Sequence, residues 1–184
     1  MQTKRLAWAI TGSGHYLRES LAILATLENV DIFLSRAAAE IIKQYGFQPQ
    51  LAATGHKVYQ DKTASSVPVG LFYEGVYHTL VIAPATSNTI AKMTYGFSDS
   101  LVTNLYAQAG KTLVPSIVFA CDALAEDSKK SIESEAPRDN FVQVFPRQID
   151  LDNVAKLSLF GGTKIVPDIT ALADAVYARL DAIR

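Results

Sequence analysis

Cysteine is nearly absent: Cys121 stands alone among 184 residues. One cysteine excludes a disulfide within the chain, and it excludes a four-cysteine zinc site or a cysteine-ligated iron–sulfur cluster held by a single chain. Redox chemistry here would need a borrowed organic cofactor, and the cysteine usage suits a reducing, cytoplasmic compartment. An excess of one charge is also missing. Lys plus Arg is 17 and Asp plus Glu is 18, a net charge of -1, which lacks the electrostatic footprint of a non-specific nucleic-acid binder. No apolar run approaches the ~18 residues of a membrane helix. The run Leu6 to Ile10 behind Lys4 and Arg5 is shorter than the ~7–15 apolar residues of an export signal. Internal repeats and low-complexity stretches are absent too. The expectation is a soluble, cytoplasmic protein with no membrane and no nucleic-acid partner.

What is present is a core. Hydrophobic residues make up 49% and charged residues 19%, enough to bury one domain spanning 1–184 on a prior of ~100–200 residues per domain. Short apolar runs alternate with helical periods. Leu6 to Ile10 reads as a strand, and Leu17, Leu21, Leu24 and Leu27 recur at helical spacing. Val30 to Leu34 is a second strand, followed by a helix from Ala37 to Tyr45. Leu80 to Ala83 reads as a buried strand ended by Pro84. Helical stretches follow at Ile90 to Met93 and Leu101 to Ala109, then an apolar run from Leu113 to Cys121. A last helix carries Ile169, Leu172, Ala173, Val176, Leu180 and Ile183 on one face, with Asp168 as its N-cap. This alternation predicts an α/β fold, a single-domain Rossmann-like (flavodoxin-like) three-layer sandwich with a parallel sheet. Residues 48–75 and 122–140 are irregular. In a doubly wound fold such excursions gather near the carboxyl ends of strands, although the charged run of 122–140 reads as a solvated surface equally well.

Four constellations could carry chemistry. Thr11-Gly12-Ser13-Gly14-His15 joins the first strand to the first helix. Its glycines allow close backbone approach, and the helix start offers N–H groups to an anion. The third glycine of a dinucleotide fingerprint is replaced by Leu17, and a plain tight turn fits as well. Ser35-Arg36 ends the second strand where an NAD enzyme places an acid for the ribose. Ser35 can cap a helix or bind a terminal phosphate, and Arg36 can meet the 2′-phosphate of NADP. The most informative string is Pro84-Ala85-Thr86-Ser87-Asn88-Thr89. Ala85 lets a flat ring lie close, and four polar side chains follow where one cap needs only one. They suit the edge of a heteroaromatic ring, which alternates donors and acceptors. Gly96-Phe97-Ser98-Asp99-Ser100-Leu101 is a second glycine turn into a helix, in which Ser98 could hold a phosphate and Asp99 could cap the helix or accept from ribityl hydroxyls.

Together these strings resemble the homo-oligomeric flavin-containing Cys decarboxylase family. The resemblance rests on a strand, then Pro84-Ala85-x-x-Asn88-Thr89-Ile90-Ala91-Lys92, then Gly96-x-x-Asp99-x-Leu101, and runs over most of the first 121 residues. It implies a flavodoxin-like sheet and FMN bound without a covalent link near a subunit interface of a homo-oligomer. It also implies a cofactor site made by Thr11, Gly12, Ser13, Gly14, Ser35, Ala85, Thr86, Ser87, Asn88, Thr89, Ser98 and Asp99, completed at the end of the later strand by Cys121 and Asp122. Two decarboxylase features are missing. Gly70 stands fourteen residues before Pro84, where those enzymes carry histidine. Phe119-Ala120-Cys121-Asp122-Ala123-Leu124 replaces their Pro-x-Met-Asn-x-x-Met-Trp string. The chain is more similar to the archaeoflavoprotein and dihydromethanopterin reductase-like subgroup, in its opening Ile10 to His15 and in Pro146-Arg147-Gln148-Ile149-Asp150-Leu151.

That resemblance implies an FMN oxidoreductase that reduces a dihydropterin, with electrons from NAD(P)H or a protein carrier. A proton donor would be needed, and His15, Asn88 and Asp122 stand at strand ends that could face the flavin. An electron carrier fed by ferredoxin, a flavin decarboxylase or prenyltransferase, and an NADP reductase using Arg36 are the competing readings. No metal site is expected.

Overall fold

Five of the six residues of β1, Arg5–Ile10, are buried, as are all five of β2, Val30–Leu34. Strands so covered must lie inside a parallel sheet with helices on both faces. The computed structural model describes residues 4–62, 67–122, 132–135 and 141–183, and six strands form one sheet in it. Besides β1 and β2 these are β3, Lys57–Gln60, β4, Tyr77–Ala85, β5, Ser116–Ala120, and an edge strand, Thr163–Val166. The order across the sheet is β3-β2-β1-β4-β5 and then the edge strand, and every described pairing in it is parallel. This is the Rossmann order, with its switch point between β1 and β4. Two short strands, β6, Ile132–Glu135, and β7, Phe141–Val144, pair antiparallel outside it, so the edge strand is β8 in chain order.

The helices divide between the faces. Trp8, Ile10, Ile32, Leu34, Val81 and Phe119 point to one side. There they meet α1, Leu17–Leu24, α2, Arg36–Gln44, and, after a short α3, Gln48–Ala53, the C-terminal α7, Ile169–Asp181. Ala7, Ala9, Phe33, Ile82 and Val118 alternate to the other side, as the period of two requires. That side is covered by α4, Ser87–Thr94, α5, Leu101–Lys111, and α6, Gln148–Leu157. Asp168 caps α7 as its sequence position predicts, its carboxylate accepting from the Ala171 N–H at 2.7 Å.

Three expectations are corrected. Pro84 does not end its strand: β4 runs on to Ala85 through a cis Ala83–Pro84 peptide. Residues 48–75 are more regular than their composition suggests, holding α3, β3 and a 3₁₀ turn, Val67–Phe72. β3 was hidden because an edge strand with only intermediate and exposed residues carries no apolar run. The apolar run at 113–121 begins with a loop, since Leu113 takes a left-handed φ of 57° and the strand starts at Ser116. Much of the charged segment 122–140 lies outside the described residues. Among the described residues no helix is long and apolar enough to cross a membrane.

Candidate functional site

The carboxyl ends of β1 and β4 part at the switch point, and the chain ties them together there with one side chain. The Thr11 N–H and hydroxyl both donate to the Pro84 carbonyl, at 3.1 and 2.8 Å, and the hydroxyl oxygen accepts from the Thr86 N–H at 2.9 Å. Thr11 is therefore a buried clasp between two strand ends. The glycines beside it are needed for packing. A Cβ on Gly12 would sit 2.4 Å from the Ala37 Cβ, and one on Gly14 would sit 2.8 Å from the Tyr45 ring. They bring the loop against α2, and so set the width of the crevice.

One side of this crevice is an open cleft of about 450 Å³ lined by Gly12, Ser35, Arg36, Ala37, Asp61, Thr86, Asn88, Thr89, Lys92, Asp99 and Ser100. Two helices begin at it. The Ser35 hydroxyl caps α2 by accepting from the Ala38 N–H at 3.0 Å. The Thr86 hydroxyl caps α4 by accepting from the Thr89 N–H at 3.4 Å. Helix starts favour an anion, and Arg36 and Lys92 add cationic side chains. Lys92 is paired with Asp99 at 2.7 Å, which holds the Asp99 carboxyl below its ordinary range. Helix α5 is capped by Ser100 and not by Asp99. Asp61, at the end of β3, accepts from the Leu101 N–H at 3.1 Å and so docks the edge strand onto α5.

The other side of the crevice, between the ends of β1 and β5, is closed and buried. The Cys121 thiol donates to the Ser13 hydroxyl oxygen at 3.3 Å and to the Ala85 carbonyl at 3.4 Å, while the Ser13 oxygen accepts from the His15 N–H at 3.1 Å. Burial pushes the Cys121 thiol far up, so it is an inert packing group with no thiolate chemistry. Two polar atoms in these loops are buried without any partner, His15 Nε2 and Asp122 Oδ1. Desolvation brings the His15 imidazole down to about 4 and moves the Asp122 carboxyl up. The other Asp122 oxygen accepts from the Ser87 N–H at 3.1 Å. The backbone before α1 is itself unusual. Tyr16 has a φ of 57°, a costly conformation for a bulky residue, held by its ring against His15 and Phe119.

The structure thus gathers Gly12, Ser35, Thr86, Asn88, Thr89 and Asp99 in the cleft, and Ser13, Ala85, Ser87, Cys121 and Asp122 in the buried half. Thr11 clasps the two halves and Gly14 packs on Tyr45. Ser98 lines a different cavity of about 380 Å³ with Phe97, Tyr106 and Phe160. Asp61, Lys92 and Ser100 were not among the expected site residues. Lys92 was findable: it falls three and four residues after Thr89 and Asn88, one turn along the same helix face. Asp61 carried no such signal, because its strand was not legible.

This is a Rossmann-ordered sheet with a polar cleft at its switch point, at which two helices begin. The chain belongs to the Flavoprotein family, whose sequence profile matches residues 1–183. It is similar to Burkholderia xenovorans DmrB, with 46% identity and a TM-score of 0.87, covering 98% of this chain and 97% of that one. That structure is a complex with FMN and is described as a cubic protein cage for redox transfer. The chain is also 37% identical over 150 residues to a dihydromethanopterin reductase (acceptor) of Methanosarcina mazei, covering 74% of this chain and spanning 61% of that protein's length. An uncharacterized protein of Methanocaldococcus jannaschii is 33% identical over 168 residues, 88% of each chain. Phenylacrylic acid decarboxylase from Aquifex aeolicus, 20% identical with a TM-score of 0.65, shares the fold alone.

Proposed function

We propose that this chain binds FMN at the switch point and reduces a dihydropterin of the dihydromethanopterin kind to its tetrahydro form. The 46% identity over 98% of the chain to DmrB in complex with FMN carries the cofactor, and the 37% identity to the dihydromethanopterin reductase (acceptor) of Methanosarcina mazei supports the substrate. The residues present fit that cofactor. A phosphate ester needs donors and positive charge, and the cleft offers the start of α2, Ser35 and Arg36. A hydroxylated chain suits Asn88, Thr89 and the Lys92–Asp99 pair. The unpartnered His15 Nε2 in the loop after β1 suits the polar edge of a ring.

Bound FMN supplies a hydride or single electrons. The protein's residues bind, orient and exclude water. Thr11 fixes the gap between the two strand ends. His15, neutral because burial brings it to about 4, orients a ligand by hydrogen bonding and brings no charge. Electrons reach the site from NAD(P)H or a protein carrier. We place FMN near a subunit interface of a homo-oligomer, in keeping with the cage described for DmrB and with the exposed Tyr73, Phe97 and Phe145 side chains.

The test is an absorption spectrum of the purified protein, followed by anaerobic mixing of its chemically reduced form with dihydropterin. A flavin spectrum that reoxidises with dihydropterin, giving tetrahydropterin, supports the reading. A colourless protein whose melting temperature ignores added FMN removes the cofactor. Reoxidation by oxidised ferredoxin with none by dihydropterin makes the chain an electron carrier.

A further inference from the structure

The fit to FMN draws on neither oxygen of Asp122, which the family resemblance had put at the cofactor. Asp122 follows the end of β5, and its two oxygens are treated differently. Oδ2 accepts from the Ser87 N–H at 3.1 Å, while Oδ1 is buried and has no partner. Among the described residues no cation is paired with it. Arg147 is near enough to feel its charge, but that guanidinium is spent on Asp150 through bonds of 2.8 and 2.9 Å. A buried carboxylate oxygen left open costs folding free energy, and a ligand carrying an N–H donor recovers it. The pyrimidine edge of FMN is a poor match. It alternates carbonyl, N–H and carbonyl, so a carboxylate reaching its one donor also faces two carbonyl oxygens. A pterin edge is a good match, because its exocyclic amine and ring N–H are adjacent donors, a pattern that pairs with a carboxylate.

The geometry points to Asp122 as the specificity-determining residue of the substrate pocket, its Oδ1 accepting from the exocyclic amine of a 2-amino-4-oxopyrimidine ring. This rests on the dihydropterin reading and names the atom that selects it. The Ser87 N–H makes the assignment unusually testable. In Asp122→Asn that N–H keeps the amide oxygen in the Oδ2 position, which turns the amide NH₂ into the Oδ1 position. An acceptor becomes a donor at one atom. Dihydropterin, which presents an amine there, is then opposed, and dihydrolumazine, which presents an oxo group in its place, is favoured.

The experiment measures equilibrium binding of both compounds to the FMN-loaded protein, wild type and D122N, by perturbation of the flavin spectrum. Melting temperature and FMN affinity are recorded for each protein. The expected result is wild-type preference for dihydropterin of about tenfold or more, the scale of one hydrogen bond to a charged group, reversed in D122N with FMN affinity unchanged. Equal dihydropterin binding by the two proteins overturns the assignment while the dihydropterin reading stands. Loss of FMN in place of pterin also overturns it, since Asp122 then serves the cofactor. If D122N fails to fold, the wild-type preference alone decides, and equal wild-type affinity for the two compounds overturns the inference. A wild type that binds neither compound removes both this inference and the reading under it.

Discussion

Each end of the sheet holds an aspartate, buried at the amino end and partly exposed at the carboxyl end, and the two are handled in opposite ways. At the amino end Asp31 is saturated. Its Oδ1 accepts from Arg5 Nη2 at 2.7 Å and its Oδ2 from the Tyr77 hydroxyl at 2.7 Å, while Arg5 also donates to the Val30 carbonyl at 2.9 Å. The three side chains belong to three adjacent strands, and burial with the bond to Asp31 drives the Tyr77 phenol far above its ordinary range. At the carboxyl end Asp122 keeps an open oxygen and His15 an open nitrogen. The amino-end network meets both oxygens of its carboxylate, although the Arg5 Nε is buried there without a partner, and each unmet buried group costs stability. At the carboxyl end an acceptor oxygen and an imidazole nitrogen are both left open beside the switch point.

Breaking the closed end has the largest expected effect. Asp31→Ala leaves the Tyr77 hydroxyl and Arg5 without their acceptor, at a cost of about 2–4 kcal/mol after allowing for the solvent contact of Arg5. For a chain of this size that lowers the melting temperature by roughly 5–15 °C, with FMN affinity of the folded fraction unmoved. A thermal melt within one degree of wild type would remove the contrast between the ends. Gly12→Ala comes next. The new Cβ meets the Ala37 Cβ at 2.4 Å, and both atoms ride on backbone, so overpacking costs about 1–3 kcal/mol and FMN binding weakens as the crevice shifts. Gly14→Ala is milder, since its clash is with the far end of the Tyr45 ring. Comparative melts and flavin titrations of the two variants check that order.

Arg36→Gln sharpens the open end without touching the core. FMN affinity falls about tenfold, as for one charge-assisted contact, and its salt dependence weakens, while the melting temperature of FMN-free protein stays. A variant with wild-type affinity at low and high salt takes Arg36 out of the phosphate site. The smallest effect is in pH. His15 and His78 lie at opposite ends, and burial brings each down to about 4. Their unfolded value is about 6.5. Between those values the unfolded chain binds protons that the native chain refuses, so stability is full above pH ~6.5 and falls as pH drops toward 4. Solvent contact limits this to roughly 1 kcal/mol for each histidine. Denaturant melts from pH 7 to 5 should show a slope that His15→Asn and His78→Asn each reduce, and an unchanged slope in both variants contradicts it.

Much of the fold was legible because its central strands are mostly apolar. Leu6 to Ile10 is apolar throughout and Val30 to Leu34 is so but for Asp31, each followed by a helical period. Edge strands were not legible, since β3 and β8 show mostly exposed or half-buried residues and short amphipathic segments carry no period. The site divides along the same line. The caps Ser35, Thr86 and Asp168 and the polar string after Pro84 announce themselves, because a polar residue before an apolar period has a local reason to be there. Asp61 reaches the cleft through its bond to the Leu101 N–H, forty residues away, for which no local pattern exists.

The sequence by itself determined the layered parallel sheet, the shortage of cysteine ligands for an iron–sulfur cluster in one chain, and the crowding of polar residues at strand ends. Those properties follow from composition and short-range periodicity. Only the tertiary structure decided which polar residues are spent on packing and which keep an open atom. It turned Gly12 and Gly14 toward α2 and Tyr45, spent Thr11 on a clasp, sent Ser98 to another cavity, and left His15 and Asp122 with one open atom each. The reason is physical: a hydrogen bond is a fact about three-dimensional neighbours, and whether a buried atom is satisfied cannot be known until every neighbour is in place.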